Sequence, residues 1–171
     1  YGRNTIGGAI KYVTRPLGDE ARFDGRINVG SYGQHDVIAS MAAPVSDTFS
    51  IGGSVALYRR DGYGKNKLTG EEHYNKDVDA ARFSAEWRPA DSLLFRLAAD
   101  WVQDTSNARH GHREAPGAGL TAGEPVLKSI YDTRGGIGSG NPAGTDGGSL
   151  PAPWAINDGV TLKSITAHRE G

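Results

Sequence analysis

Hydrophobic and polar positions alternate most cleanly from Leu93 to Trp101, where Leu93, Phe95, Leu97, Ala99 and Trp101 share one face and Arg96, Ala98 and Asp100 the other. Two further stretches repeat the pattern. Phe49, Ile51, Gly53, Val55 and Leu57 line an uncharged face opposite Ser50, Ser54 and Arg60, and Ala81, Phe83, Ala85 and Trp87 oppose Arg82, Ser84, Glu86 and Arg88. A period of two predicts strands of a sheet with one greasy side and one wet side.

Weaker alternation extends the prediction on both sides. Phe23, Ile27 and Val29 against Asp24, Arg26 and Asn28 predict a strand from Phe23 to Gly30. Ser31-Tyr32-Gly33 then turns the chain into a return strand from His35 to Ala43. Short turns are expected at Pro44 to Thr48 and at Pro89-Ala90-Asp91. Asp61 to about Lys76 shows no period and is expected to be a loop, as is Thr105 to Asp158, with its Gly, Pro, Asn and Ser and the run GGIGSGNPAGTDGG. Val160 to His168 resumes an extended pattern. The fold class expected is all-β, an antiparallel up-and-down meander of about six strands.

Composition narrows what covers the greasy side. Apolar residues make up 37% of the 171 residues and mean hydropathy is −0.50, so a thick all-protein core would be built from fewer apolar groups than usual. The 19 basic and 20 acidic residues leave a net charge of −1, which gives no reason to expect a nucleic-acid partner. Without cysteine there is no disulfide framework and no thiolate. No run approaches the roughly 18 apolar residues of a spanning helix, whereas a spanning strand needs only about 9–11 alternating residues. The start carries no signal pattern, so the protein is expected to begin upstream.

Connection lengths discriminate between a lipid-facing wall and a soluble sandwich. The expected short turns fall at one end of the sheet and the long loops at the other, apart from the short connection near Tyr32. Phe49 and Trp87 fall beside the short turns, while Trp101, with Tyr58 and Tyr63 near it, falls at the opposite end, as two aromatic belts would.

The opening residues carry a specific family signal. The run Gly-Arg-Asn-Thr-x-Gly-Gly-Ala-Ile over residues 2–10, leading to Pro16, resembles the end of the plug domain of TonB-dependent outer-membrane receptors. The Pro-Val-Ser-Asp turn, the Arg-Asp-Gly-Tyr strand exit, the Arg-x-Ser-x-Glu-Trp-x-Pro strand and the closing Thr-Leu-Lys-Ser-Ile-Thr-Ala are similar to the first barrel strands of the same receptors. The resemblance implies that residues 1–16 end a plug and 17–171 begin a large transmembrane β-barrel, with external loops at about 61–76 and 105–158. It also implies a bacterial outer-membrane location and partners that include the lipid bilayer and a TonB energising complex reached through an upstream segment. The cargo would be a bulky scarce nutrient, a ferric siderophore before others. An alternative is a soluble carbohydrate-binding β-sandwich or adhesin-like module.

Candidate chemistry is sparse. His110-Gly111-His112 is half of a metal site at most, since no third ligand is fixed by spacing. Residues 138–143 echo a dinucleotide fingerprint but lack the flanking strand and helix, and Pro142 argues for a loop. No nucleophile elbow or assembled triad is present, so neither enzyme activity nor a cofactor is expected. The expected ligand contacts lie at the long-loop end: Tyr32, His35, Tyr63, Asn66, His110 and His112. Arg3, if buried in a barrel, needs a carboxylate, and Glu86 is the candidate. The loops carry no spacing that names the ligand.

Overall fold

The computed structural model describes residues 14–119, 122–136, 138 and 140–171. Seven strands form one antiparallel sheet in the order β1-β2-β3-β6-β7-β8-β9. They run Arg22–Gly30 (β1), Gln34–Ser46 (β2), Phe49–Arg60 (β3), Lys76–Ala90 (β6), Leu93–Asp104 (β7), Ala143–Asn157 (β8) and Val160–Glu170 (β9). A two-residue hairpin, Gly64–Lys65 (β4) with Glu72–His73 (β5), sits within the β3–β6 connection. The sheet is an all-β up-and-down meander, as the alternation required.

Three expectations need correction. The loop expected from Thr105 to Asp158 ends at Pro142, and its last third is β8. Its Gly144, Gly147, Gly148, Pro151 and Pro153 are poor strand formers, but ladders with β7 and β9 impose the extended form that local propensity does not. The prolines leave a trace: pairing with β7 lapses between Leu93 and Ala98, while pairing with β9 continues through both prolines. The 61–76 loop is also ordered around β4–β5. Finally, the sheet has seven strands rather than about six.

The connections are strongly asymmetric. Asp47-Thr48, Asp91-Ser92 and Asp158-Gly159 are two-residue turns at one end of the sheet. At the other end the chain crosses by Ser31–Gly33, by residues 61–75 and by residues 105–142.

The two faces differ as the sequence pattern requires. On one face Phe83, Leu97 and Trp101 are 46%, 45% and 43% exposed, and no second layer among the described residues covers them. Trp87 stacks on Phe95 near the short turns, their centroids 5.5 Å apart. Tyr58 and Tyr63 do not join Trp101 at the far end of this face. Tyr58 belongs to the opposite face, under the Lys76 ammonium at 3.8 Å, and Tyr63 lies in the loops.

The other face is polar and partly covered by the incoming chain. Leu17, 7% exposed, rests over Gly52, and its N–H donates to Glu86 Oε1 at 3.4 Å. Ser50 Oγ donates to the Gly18 carbonyl and Arg82 to Thr14 Oγ1. Thus Thr14 to Gly18 pack on the polar face of this chain's own sheet. The rest of the expected plug strand lies outside the described residues.

The boundary of the greasy face is a staircase. Counted from the long-loop end, the deepest charged, amide or imidazole side chain on that face is His35 on β2, Arg59 on β3, Asp79 on β6, Gln103 on β7, Asp146 on β8 and His168 on β9, where the hydroxyls of Thr166 and Ser164 lie deeper still. His35 pairs with Arg59. Asp79 and Gln103 share a row two residues deeper, Asp146 is two deeper again opposite Trp101, and His168 two deeper still opposite Gly148. Six residues at about 3.4 Å, across five strand spacings of about 4.8 Å, incline the strands by about 40° to the perpendicular of that boundary.

Candidate functional site

The long-loop end carries an ordered cap built on Asn66 and His73, both with no exposed surface. Asn66 Nδ2 donates to the Gly135 carbonyl at 2.7 Å, while its Oδ1 accepts from the N–H groups of Leu68 and Thr69. Such a side chain closes a local turn and ties the hairpin to the 105–142 connection. Lys67 N donates to Thr133 O and Thr133 N to Lys65 O, a short parallel bridge between the two connections. The Lys67 ammonium meets Asp132 Oδ2 at 2.8 Å and holds that carboxyl below the usual carboxylate range.

Beneath the hairpin, four tyrosines pack together. Tyr63 stacks on Tyr74 at 4.9 Å, meets Tyr131 edge-on at 5.0 Å and has Tyr32 tilted against it at 5.7 Å. Tyr32 and Tyr74 have φ of 60° and 66°, left-handed values that non-glycine residues seldom adopt. Arg60 reaches the cluster from the strand end, its guanidinium 5.2 Å from the Tyr63 centroid and bonded to the Tyr74 carbonyl. Gly64 allows this approach, because a Cβ there would stand 2.2 Å from the Tyr131 carbonyl oxygen.

His73 sits between cluster and cleft. Its Nε2 meets Thr133 Oγ1 at 2.8 Å and its ring lies 4.1 Å from that of His110, whose carbonyl accepts the Tyr74 hydroxyl. Burial holds the His73 imidazole below its ordinary value of 6.5, and His110 adds to that shift against the opposing pull of Glu71 and Asp132. The folded cap therefore favours neutral His73. Above about pH 6.5 the imidazole is neutral whether the cap is packed or open. Below it the open form takes up the proton first and gains stability. Proteolysis of the 105–142 connection is expected to be constant above that pH and to accelerate as pH falls below it, with the dependence flattened in His73→Gln.

Between the hairpin and the 105–142 connection lies a cleft of about 620 Å³. Lys67, His110, His112, Arg113 and Arg134 supply its cationic and imidazole groups, Glu124 and Asp132 its carboxylates, and Leu68, Pro125 and Leu127 apolar wall. Its volume lies within the range of small-molecule sites, about 300–1,000 Å³.

Of the residues expected from sequence to touch ligand, His110 and His112 line this cleft. Tyr32 and Tyr63 are in the neighbouring aromatic cluster. Asn66 is corrected to a buried structural residue, since a side chain without exposed surface and with its amide engaged serves the turn. His35 stays with the sheet, its Nδ1 at 2.8 Å from the Gly33 carbonyl oxygen. Glu86 pairs with Arg96 at 3.2 Å and Arg88 at 3.6 Å on the polar face of the wall. Arg3 lies outside the described residues. Among the described residues no three His, Asp or Glu side chains could hold a metal together. Sequence reasoning missed Arg113, Arg134, Thr133 and His73, because nothing in one-dimensional spacing brings residues 67–73 to residues 110–135.

No family model, no curated protein and no solved structure matches the chain.

Proposed function

We propose that this chain is a section of the wall of a TonB-dependent outer-membrane receptor, taking up a bulky scarce nutrient, a ferric siderophore before others. The single observation that carries the reading is the staircase at the edge of the greasy face. Strands of membrane barrels incline by about 35–45° to the bilayer normal, and a flat hydrocarbon layer marks each successive strand a little over one residue deeper. The progression from His35 to His168 has that step.

Other features support it. Two-residue turns at one end, and at the other two long folded connections beside the short Ser31–Gly33 turn, match the asymmetry of outer-membrane barrels. A sandwich of either alternative kind needs a second layer over Phe83 and Leu97. β1 and β9 each offer an unpaired backbone edge, which further strands of a larger barrel would satisfy. The polar face would then line the lumen, with Thr14 to Gly18 as the descent of the plug into the wall.

Mechanistically, the cap would meet ligand from outside, and withdrawal of the plug by the energising complex would open the lumen. No bond is made or broken in the cargo. Full-length protein expressed in a bacterium with an outer membrane is expected in the outer-membrane fraction and to resist extraction by urea. Recovery from the soluble fraction would end the reading.

A further inference from the structure

Two of the three strong cations at the cleft are already neutralised. Lys67 is paired with Asp132, and Arg134 with Glu124. Arg113 has no carboxylate partner among the described residues. Its Nη2 donates to the carbonyls of Glu124 and Pro125, at 3.2 and 3.5 Å, which anchors the guanidinium without discharging it. A guanidinium has five N–H donors in a planar fork, so most of its capacity remains.

A second observation concerns His110. It lines the same cleft, and its Nε2 is shut off from solvent without a hydrogen-bond partner among the described residues. Polar atoms shut off in this way are uncommon, and each calls for a cause. Neighbouring His112 adds a second imidazole to the wall.

We propose that this cleft binds its ligand through an oxyanion, a carboxylate or phosphate carried on a small molecule, with Arg113 as the charged partner and the His112 imidazole as a hydrogen-bond donor, while His110 backs the wall. Leu68, Pro125 and Leu127 would receive the apolar remainder. The assignment deepens the uptake reading by naming the ligand's chemical class, and it rests on that reading only for what becomes of the ligand afterwards.

The test is calorimetric titration of the full-length protein in detergent with citrate, inorganic phosphate and glucose. Citrate or phosphate is expected to bind, more weakly as salt is raised, and glucose not to compete. Arg113→Gln is expected to weaken anion binding at least tenfold while the thermal unfolding midpoint stays in place. Lys67→Gln, which frees Asp132, tests whether any loss of positive charge does the same, and is expected to weaken binding less. Failure of both anions to bind, equal binding by Arg113→Gln, or competition by glucose would overturn the proposal. A protein that binds citrate but fractionates as soluble would keep this inference and discard the transport reading.

Discussion

Leu97→Arg is expected to destabilise the full-length protein in lipid vesicles by about 2–4 kcal/mol. Leu97 stands midway between Leu93 and Trp101 on the greasy side of β7, in a row with Ala85, Ile51 and Ala43, and none of these offers a partner for a guanidinium. Along β7 itself the first polar group on that face, Gln103, is six residues and about 20 Å away, and the nearer Asp146 and His168 stand on β8 and β9, opposite Trp101 and Gly148. The charge would have to remain in hydrocarbon or draw water and headgroups inward. Thr145→Arg, exposed on the opposite face, is expected to change stability by less than about 0.5 kcal/mol. Urea titrations in vesicles measure both. A similar loss for the two variants would mean that lipid does not cover the Leu97 side.

The second large effect belongs to the cap. In Gly64→Ala the new methyl would meet the carbonyl oxygen of Tyr131 at 2.2 Å and its carbonyl carbon at 3.0 Å. Both are main chain, so relief cannot come from rotating a side chain, and the 126–135 segment must move off the hairpin. Overpacking of this kind costs about 1–3 kcal/mol. Here it would fall on the cap alone, because the seven-stranded ladder has no part in the clash. Limited proteolysis is expected to cut the 105–142 connection at least tenfold faster, with the unfolding midpoint of the sheet unchanged. Anion binding should weaken with it, since Asp132, Thr133 and Arg134 form one wall of the cleft. Unaltered cleavage would show that the two connections are not held together through Gly64.

Much of the sheet was legible in the sequence because each amphipathic strand records its own faces. Phe83, Leu97 and Trp101 share a side in the structure as their period of two required. β8 was hidden because five of its fifteen residues are glycine or proline, although two signals were present. Leu150, Ala152 and Trp154 alternate, and Asp158-Gly159 is a strong hairpin signal that requires a strand before it. The cleft was less legible. His110 and His112 could be singled out as loop imidazoles, but the buried bonds of Asn66 and the meeting of His73 with Thr133 across the fold depend on tertiary contacts. The bond of Glu86 to Arg96 across β6 and β7 was not foreseen, because alternation names a face and not a partner.

The two prolines of β8 bear on the order in which the sheet assembles. Hairpins β2–β3, β6–β7 and β8–β9 each close over two residues, at little loss of chain freedom, whereas joining β7 to β8 must first close residues 105–142. The same junction lacks pairing between Leu93 and Ala98. Longest closure and sparsest ladder thus coincide at one seam, which makes β7–β8 the last join to zip and the first to part.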